Sequence, residues 1–161
     1  GEATVRKKKS GIVVKGLHDL AVRFSRCCNP VPGDEIVGFV TRGRGVSIHR
    51  TDCINVINLP EDERGRLIDA EWQVAENPTS TEQYSTEIQI FANNRIGLFA
   101  DISKVFTEKQ IDITSMNVRT SKQGRATIIM TFDIHGTEEL NRITDKIRQI
   151  DGVLDIQRTT G

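Results

Sequence analysis

The sequence has no apolar run approaching the ~20 residues that a membrane helix requires, and its opening has no charged-then-apolar signal pattern. Neither a spanning helix nor a secretory leader is expected. It also lacks an initiating Met: Gly1-Glu2 open the chain, which reads as a piece of something longer. Cysteine is scarce, at three residues, an odd number with two adjacent. That argues against a secreted disulfide framework and makes a reducing cytoplasm the simpler setting. Net charge is absent too, because 22 basic residues balance 22 acidic ones.

That balance is uneven along the chain. Residues 1–50 carry ten basic residues against four acidic, a net of +6, whereas residues 51–90 carry two against nine, a net of −7. Residues 91–161 are close to neutral at +1. Charge separated in this way suits a surface aimed at a polyanion; the plain alternative is a solvated basic tail followed by an acidic loop. The 161 residues suffice for one ordinary domain or two small ones, and 27% charged with 37% hydrophobic residues is the make-up of a folded chain.

All three cysteines fall in one stretch, Cys27-Cys28-Asn29-Pro30-Val31-Pro32-Gly33 through to His49-Arg50-Thr51-Asp52-Cys53. Pro30 to Gly33 reads as a turn, Glu35 to Thr41 as a strand, Arg42-Gly-Arg-Gly45 as a glycine-permitted hairpin turn, and Val46 to His49 as the return strand. Thr51 and Asp52 are placed to cap a short helix carrying Cys53. Folded so, the hairpin brings Cys27, Cys28, His49 and Cys53 together, three thiolates and an imidazole that structural zinc accepts. Adjacent cysteines depart from the usual spaced pair, and the alternative is that Cys27 or Cys28 packs as a small apolar side chain. A Cys nucleophile with His49 as base would need a pocket, an oxyanion donor and an orienting group, for which this short module offers no place. The glycine- and arginine-rich turn lacks the Lys-Ser/Thr ending of a phosphate-binding loop. A tip bearing Arg42 and Arg44, near Arg50, is shaped to touch RNA phosphates; otherwise it is a solvated turn.

Around this stretch, Arg6 to Lys9 is a basic run in a polar N-terminus, residues 1–10 being read as a linker, with RNA contact a secondary reading. Ile12 to Val14 reads as a strand ended by Gly16. Leu20, Ala21 and Phe24 have helical spacing and predict a short helix over 18–26, with His18 left unassigned. Residues 55–63 read as irregular and acidic, and Leu67 to Trp72 as a closing strand. A β-α-β-β-α-β order fits this first module, residues 11–74, around a small core of Ile12, Val14, Leu20, Phe24, Ile36, Val37, Phe39, Ile48 and Trp72. About 60 residues make a marginal domain, so a metal staple is physically reasonable.

Residues 75–83, polar and holding Pro78 with Ser and Thr, break all periodicity and form a linker. Beyond them the pattern is regular. A strand at Thr86 to Ala92 is followed by a helix with the stripe Leu98, Phe99, Ile102, Val105 and Phe106. Ile111, Ile113, Met116 and Val118 mark a second strand, Lys122 to Gly124 a hairpin turn, and Ala126, Ile128, Met130, Phe132 and Ile134 a third strand in strict alternation. Thr137 caps a second helix with Leu140, Ile143, Ile147 and Ile150 on one face, Gly152 ends it, and Val153 to Arg158 closes. The result is βαββαβ, the ferredoxin-like split unit, over residues 84–161.

The run CCNPVPGDEIVGFVTRGRGVSIHRTDC closely resembles the C-terminal regulatory region of the RelA/SpoT homologues, the stringent-response enzymes that make and degrade (p)ppGpp. The resemblance implies an α+β architecture: a small zinc-finger-type (RIS) domain followed by an ACT domain. It implies a non-catalytic fragment of a GTP pyrophosphokinase, because the hydrolase and synthetase modules that the family places N-terminal are not in these residues. It further implies docking on ribosomal RNA near the A site and control of catalytic domains in the parent chain; the expectation of one structural zinc rests on the four donors Cys27, Cys28, His49 and Cys53 themselves. Asn93 to Ile102 is similar to the ACT-domain opening D-R-x-G-L-L-x-D-I, with Asn94 in the place of the acid and Phe99 in the place of a Leu. In that resemblance Gly97 lets a ligand approach the helix end, whose free N–H groups favour a carboxylate, and Ile96, Leu98, Ile111 and Ile113 hold a branched aliphatic side chain. The plain alternative is that Asn94 and Gly97 shape a tight turn. ACT sheets also pair edge to edge, so a homodimer without ligand or RNA role is the remaining expectation.

Overall fold

The computed structural model describes residues 12–14, 21–73 and 82–161. The basic run at 6–9, Gly16, His18, Leu20 and most of the 75–83 linker lie outside the described residues. The chain divides into two compact units, the second spanning Gln83–Thr159. Among the described residues no helix is long and apolar enough to cross a membrane.

The first unit holds five strands: β1 (Ile12–Val14), β2 (Val22–Phe24), β3 (Ile36–Val40), β4 (Val46–Arg50) and β5 (Leu67–Trp72). They form one sheet in the order β1-β5-β3-β4-β2, antiparallel except where β2 runs parallel to β4. Between β4 and β5 come a one-turn helix α1 (Ile54–Ile57) and a 3-10 helix (Glu61–Arg66). The period-2 alternation of strands gives this sheet two distinct faces. On one, Ile12, Val46, Ile48 and Ala70 are buried, with Val22, Phe24, Ile36, Val40, Ile68 and Trp72 packed around them. Phe24 stacks on Trp72 with centroids 5.4 Å apart. On the other face Cys28, Cys53 and Val56 form a second cluster with Cys27, Val37 and Leu67.

Three expectations for this unit are corrected. Val22–Phe24 is a strand, not part of a helix: Val22 and Phe24 are half-buried and Arg23 exposed, and pairing with β4 uses the backbone that a helix would consume. Three apolar positions fit either period, and the sheet edge selected the extended one. Neither Thr51 nor Asp52 caps α1. Its cap residue is Cys53, without a side-chain cap bond, and Asp52 accepts from Arg50 instead. Residues 55–63, expected to be irregular, begin inside α1 and end inside the 3-10 helix.

The second unit runs β6 (Tyr84–Asn93), α2 (Leu98–Glu108), β7 (Ile113–Thr120), β8 (Arg125–Ile134), α3 (Thr137–Arg148) and β9 (Val153–Arg158). The sheet order β7-β8-β6-β9, all antiparallel, is that of the ferredoxin-like split βαβ pair. Thr86, Ile88, Ile90 and Ala92 of β6 and Ala126 through Ile134 of β8 alternate inward and are buried. They meet Leu98, Ile102, Val105 and Phe106 of α2 and Leu140, Ile143 and Ile147 of α3 in the core, where Phe106 and Phe132 contact edge-on at 4.8 Å. Thr137 is the first residue of α3 rather than its cap; Gly136 takes that place, and its carbonyl accepts from Leu140 N–H.

A candidate metal centre and its surroundings

The hairpin β3–β4 turns through Thr41–Gly45, where Thr41 N–H and Oγ1 both donate to the Gly45 carbonyl. Gly45 has φ +76°, and a Cβ there would collide with the Ala21 carbonyl oxygen, so only glycine fits. This turn fixes the register that pairs Val37 with His49, which presents His49 on the sheet face opposite Val46 and Ile48. Cys53 follows β4 through a turn in which its N–H donates to the Arg50 carbonyl. Cys27 and Cys28 sit in the turn after β2, closed by Asn29 N–H donating to Ser25 O, with Asn29 at φ +48°.

These segments bring Cys27, Cys28, His49 and Cys53 into one cluster, with ligand atoms all within 4.8 Å of one another. Cys27 Sγ lies 3.4 Å from His49 Nδ1, 3.4 Å from Cys53 Sγ and 4.0 Å from Cys28 Sγ. Cys28 Sγ is 3.9 Å from His49 Nδ1. Four ligands at zinc bond lengths on a tetrahedron stand about 3.5–3.8 Å apart. The donor set is therefore one that a tetrahedral thiophilic ion would accept once the widest pair, up to 4.8 Å apart, closes by about 1 Å. All three thiols are free of disulfides.

The surroundings supply what such a centre needs. Ser47, almost fully buried, places its hydroxyl 3.1 Å from His49 Nε2, leaving Nδ1 toward the sulfurs. The Arg50 backbone N–H donates to Cys28 Sγ at 3.3 Å. Burial raises the Cys27 thiol, but hydrogen bonds from Ser25, Asn55, Cys53 and Cys28 outweigh it and hold Cys27 below its ordinary 9.0. Burial pushes Cys28 far above that value, helped by the neighbouring Cys27 and Cys53 charges. Burial and the bond to Cys27 raise Cys53 as well. Cys27 is thus the most easily ionised of the three thiols, and a cation sharing the cluster would favour ionisation of the other two. Burial, with the charge of Arg23, lowers His49, so its ring is neutral and available as a ligand.

Arg42 and Arg44 are exposed at the hairpin tip, as expected. Arg50 is not. Its side chain is 7% exposed, with Nη1 donating to the Cys28 carbonyl and Nη2 to Asp52. It ties the Cys27–Cys28 turn to the segment leading into Cys53, and a guanidinium so enclosed does not reach a phosphate.

In the second unit the residues grouped as a ligand site part company. Ile96 is 100% exposed and Leu98 0%, while Ile111 and Ile113 are half-buried. Gly97 takes φ +82°, as a tight turn into α2 requires, and Asn94 is exposed with its N–H donating to the Gly124 carbonyl. The residue that sequence reasoning passed over is Arg95. Nε donates to the Asp151 carbonyl, Nη1 to the Ile96 carbonyl and Nη2 to Asp101 at 2.8 Å, folding the guanidinium across the start of α2. The turn glycines Gly124 and Gly152, whose loops receive Asn94 and Asn93, were the available signal for this meeting of turns.

Comparison with known proteins agrees with this division. Residues 12–73 match the RelA/SpoT RIS domain and residues 80–158 the ACT domain. A GTP pyrophosphokinase of Streptomyces coelicolor is 40% identical over 93% of this chain, and one of Escherichia coli K12 is 37% identical over 97%. A bifunctional (p)ppGpp synthase/hydrolase RelA of Mycobacterium tuberculosis is 36% identical over 93%. The chain spans about a fifth of the length of these relatives, 17% to 21%. A solved ACT domain from the GTP pyrophosphokinase of Chlorobium tepidum overlaps 48% of the chain at 22% identity and a TM-score of 0.44. With a RIS domain followed by an ACT domain, and relatives that retain both across nearly its whole length, the chain belongs to the RelA/SpoT family.

Proposed function

We propose that this chain is a non-catalytic regulatory segment of a cytoplasmic (p)ppGpp synthetase/hydrolase, and that its RIS unit docks on ribosomal RNA near the A site. A structural zinc held by Cys27, Cys28, His49 and Cys53 braces the base of the β3–β4 hairpin, and Arg42 and Arg44 at its tip meet RNA phosphates. The carrying observation is the exposed two-arginine tip on a hairpin whose base carries the Cys27, Cys28, His49 and Cys53 cluster. A docked unit then reports ribosome state to catalytic domains of the parent chain. The test is ribosome binding by the double variant Arg42→Ala/Arg44→Ala across a salt series. Weaker affinity with a flatter salt dependence supports docking; unchanged affinity overturns it.

For the ACT unit, the edge strand β7 favours self-association. Met116 and Val118, opposite the buried Met130 and Ile128, are more than a third exposed, and β7 has a sheet neighbour on one side only. A second copy pairing there would cover both and make a homodimer, which sedimentation across a concentration series reads directly. Branched-chain amino-acid sensing at Asn94, Ile96, Gly97, Leu98, Ile111 and Ile113 requires Arg95 to leave its contacts at the start of α2. Titration of valine, isoleucine and leucine, followed by amide NMR, tests that role: saturable shifts at 96–98 support it, and their absence removes it.

A further inference from the structure

The acidic segment that follows the cysteine hairpin in sequence does not stay clear of the basic tip. The pairing of Phe39 with Leu67 sets the end of the 3-10 helix beside the strand that leads into Arg42. There Glu63 faces two arginines at once. Its Oε1 lies 3.8 Å from Arg42 Nη2 and its Oε2 lies 3.4 Å from Arg66 Nη1. Arg66 is seated by packing as well as by charge, its guanidinium 5.2 Å from the Phe39 ring centroid and its side chain 25% exposed. Arg42, by contrast, is 81% exposed and free to follow a partner.

A carboxylate bridging two guanidinium groups, one oxygen to each, occupies the place that two oxygens of a phosphodiester would take. We propose that Glu63 is a built-in stand-in for an RNA phosphate. It holds Arg42 and Arg66 ready as a two-arginine clamp, and a backbone phosphate of RNA displaces it on docking. The proposal rests on the RNA-docking reading above. It adds Arg66 as a contact residue and Glu63 as a competitor that sets the threshold for binding. The physical balance is favourable: an exposed ion pair is weak and readily exchanged, whereas each phosphate neutralised also releases condensed counterions. Arg66, stacked on Phe39, loses little freedom when it changes partner.

The experiment measures binding of the full 161-residue chain to a labelled RNA hairpin with a double-helical stem, over a salt series. Glu63→Gln keeps the shape and removes the competitor, and it should bind roughly twofold to fivefold tighter. Glu61→Gln removes the same charge from the same 3-10 helix without facing the arginines, and it should bind less tightly than Glu63→Gln. Arg66→Gln should weaken binding and lower the salt slope by about one, with Arg66→Lys restoring part of the loss. Trp72 fluorescence melts confirm that each variant is folded. Equal gains for Glu61→Gln and Glu63→Gln, or an Arg66→Gln affinity equal to wild type, overturn the clamp. If those results occur while Arg42→Ala/Arg44→Ala still weakens binding, the clamp alone fails. If the double variant binds as wild type, the docking reading fails with it.

Discussion

The hydroxyl of Ser47 lies 3.1 Å from Nε2 of His49, while Nδ1 of the same ring lies 3.4 Å from Cys27 Sγ. One imidazole therefore joins a buried polar anchor to the thiol cluster. A ring whose Nδ1 binds a metal carries its proton on Nε2, and that N–H donates to Ser47. Ser47→Ala should lower metal affinity by roughly tenfold to a hundredfold while leaving the four ligands in place. Competition between the protein and a zinc-chelating dye measures this, and Ser47→Thr should recover most of the loss. Equal affinities for wild type and Ser47→Ala would show that the anchor does not orient the ring.

Removing the metal should unfold the first unit and spare the second. The first has two small clusters, one organised by Cys28 and Cys53, whereas the second has a continuous core between sheet and helices. Cys53→Ser, or chelator added to protein carrying about one zinc, should erase the amide signals of β3 and β4 and leave those of β8 intact. Persistence of the β3 and β4 signals would count against a structural metal.

The first unit should lose stability on acidification through His49. Burial and Arg23 hold its ring below the ordinary 6.5, so the neutral form is preferred in the folded state. The unfolded chain then binds the proton more readily. The contribution is complete above 6.5 and is lost as pH falls through the folded value. Urea midpoints between neutral and acidic pH should show this dependence, and His49→Gln should flatten it.

Gly45→Ala should destabilise the hairpin by about 1–3 kcal/mol, because φ +76° disfavours a side chain and the new Cβ meets the Ala21 carbonyl oxygen. Gly124→Ala, also at positive φ but with open space around it, should cost less. Denaturant melts of the two variants rank them.

Thr86→Val should stabilise the ACT unit by about 1 kcal/mol. Thr86 is fully buried, and its Oγ1 has no hydrogen-bond partner among the described residues. Valine keeps the shape and removes a desolvated hydroxyl. A lower melting temperature would mean that the hydroxyl is satisfied in solution.

The ACT unit was legible because its signals are local and repeated. Five inward residues of β8 alternate without a break, and Leu98, Ile102, Val105 and Phe106 hold one helical face, so period alone separates strand from helix. The RIS unit was legible where turn chemistry speaks, at Pro32-Gly33 and at Gly43 and Gly45. It misled where a three-residue strand carries too few positions to show a period, at Val22–Phe24. The grouping of Cys27, Cys28, His49 and Cys53 was readable from donor chemistry, and the hairpin register brings the four side chains together.

By itself the sequence determined which elements form in the ACT unit, where the basic hairpin turns, and which four side chains offer metal ligands. These follow from backbone propensity and side-chain chemistry, which act within a few residues. Only the tertiary structure decided the fate of individual charges. Arg50 and Arg44 look alike in sequence, yet one is enclosed against the Cys28 carbonyl and Asp52 while the other stands in solvent. Arg95 closes over the start of α2 because the Asp151 carbonyl comes to it from the turn after α3, and Glu63 faces Arg42 because β5 lies beside β3. Charge is a property of a residue, but its partner and its solvation belong to whichever distant segment the fold sets against it.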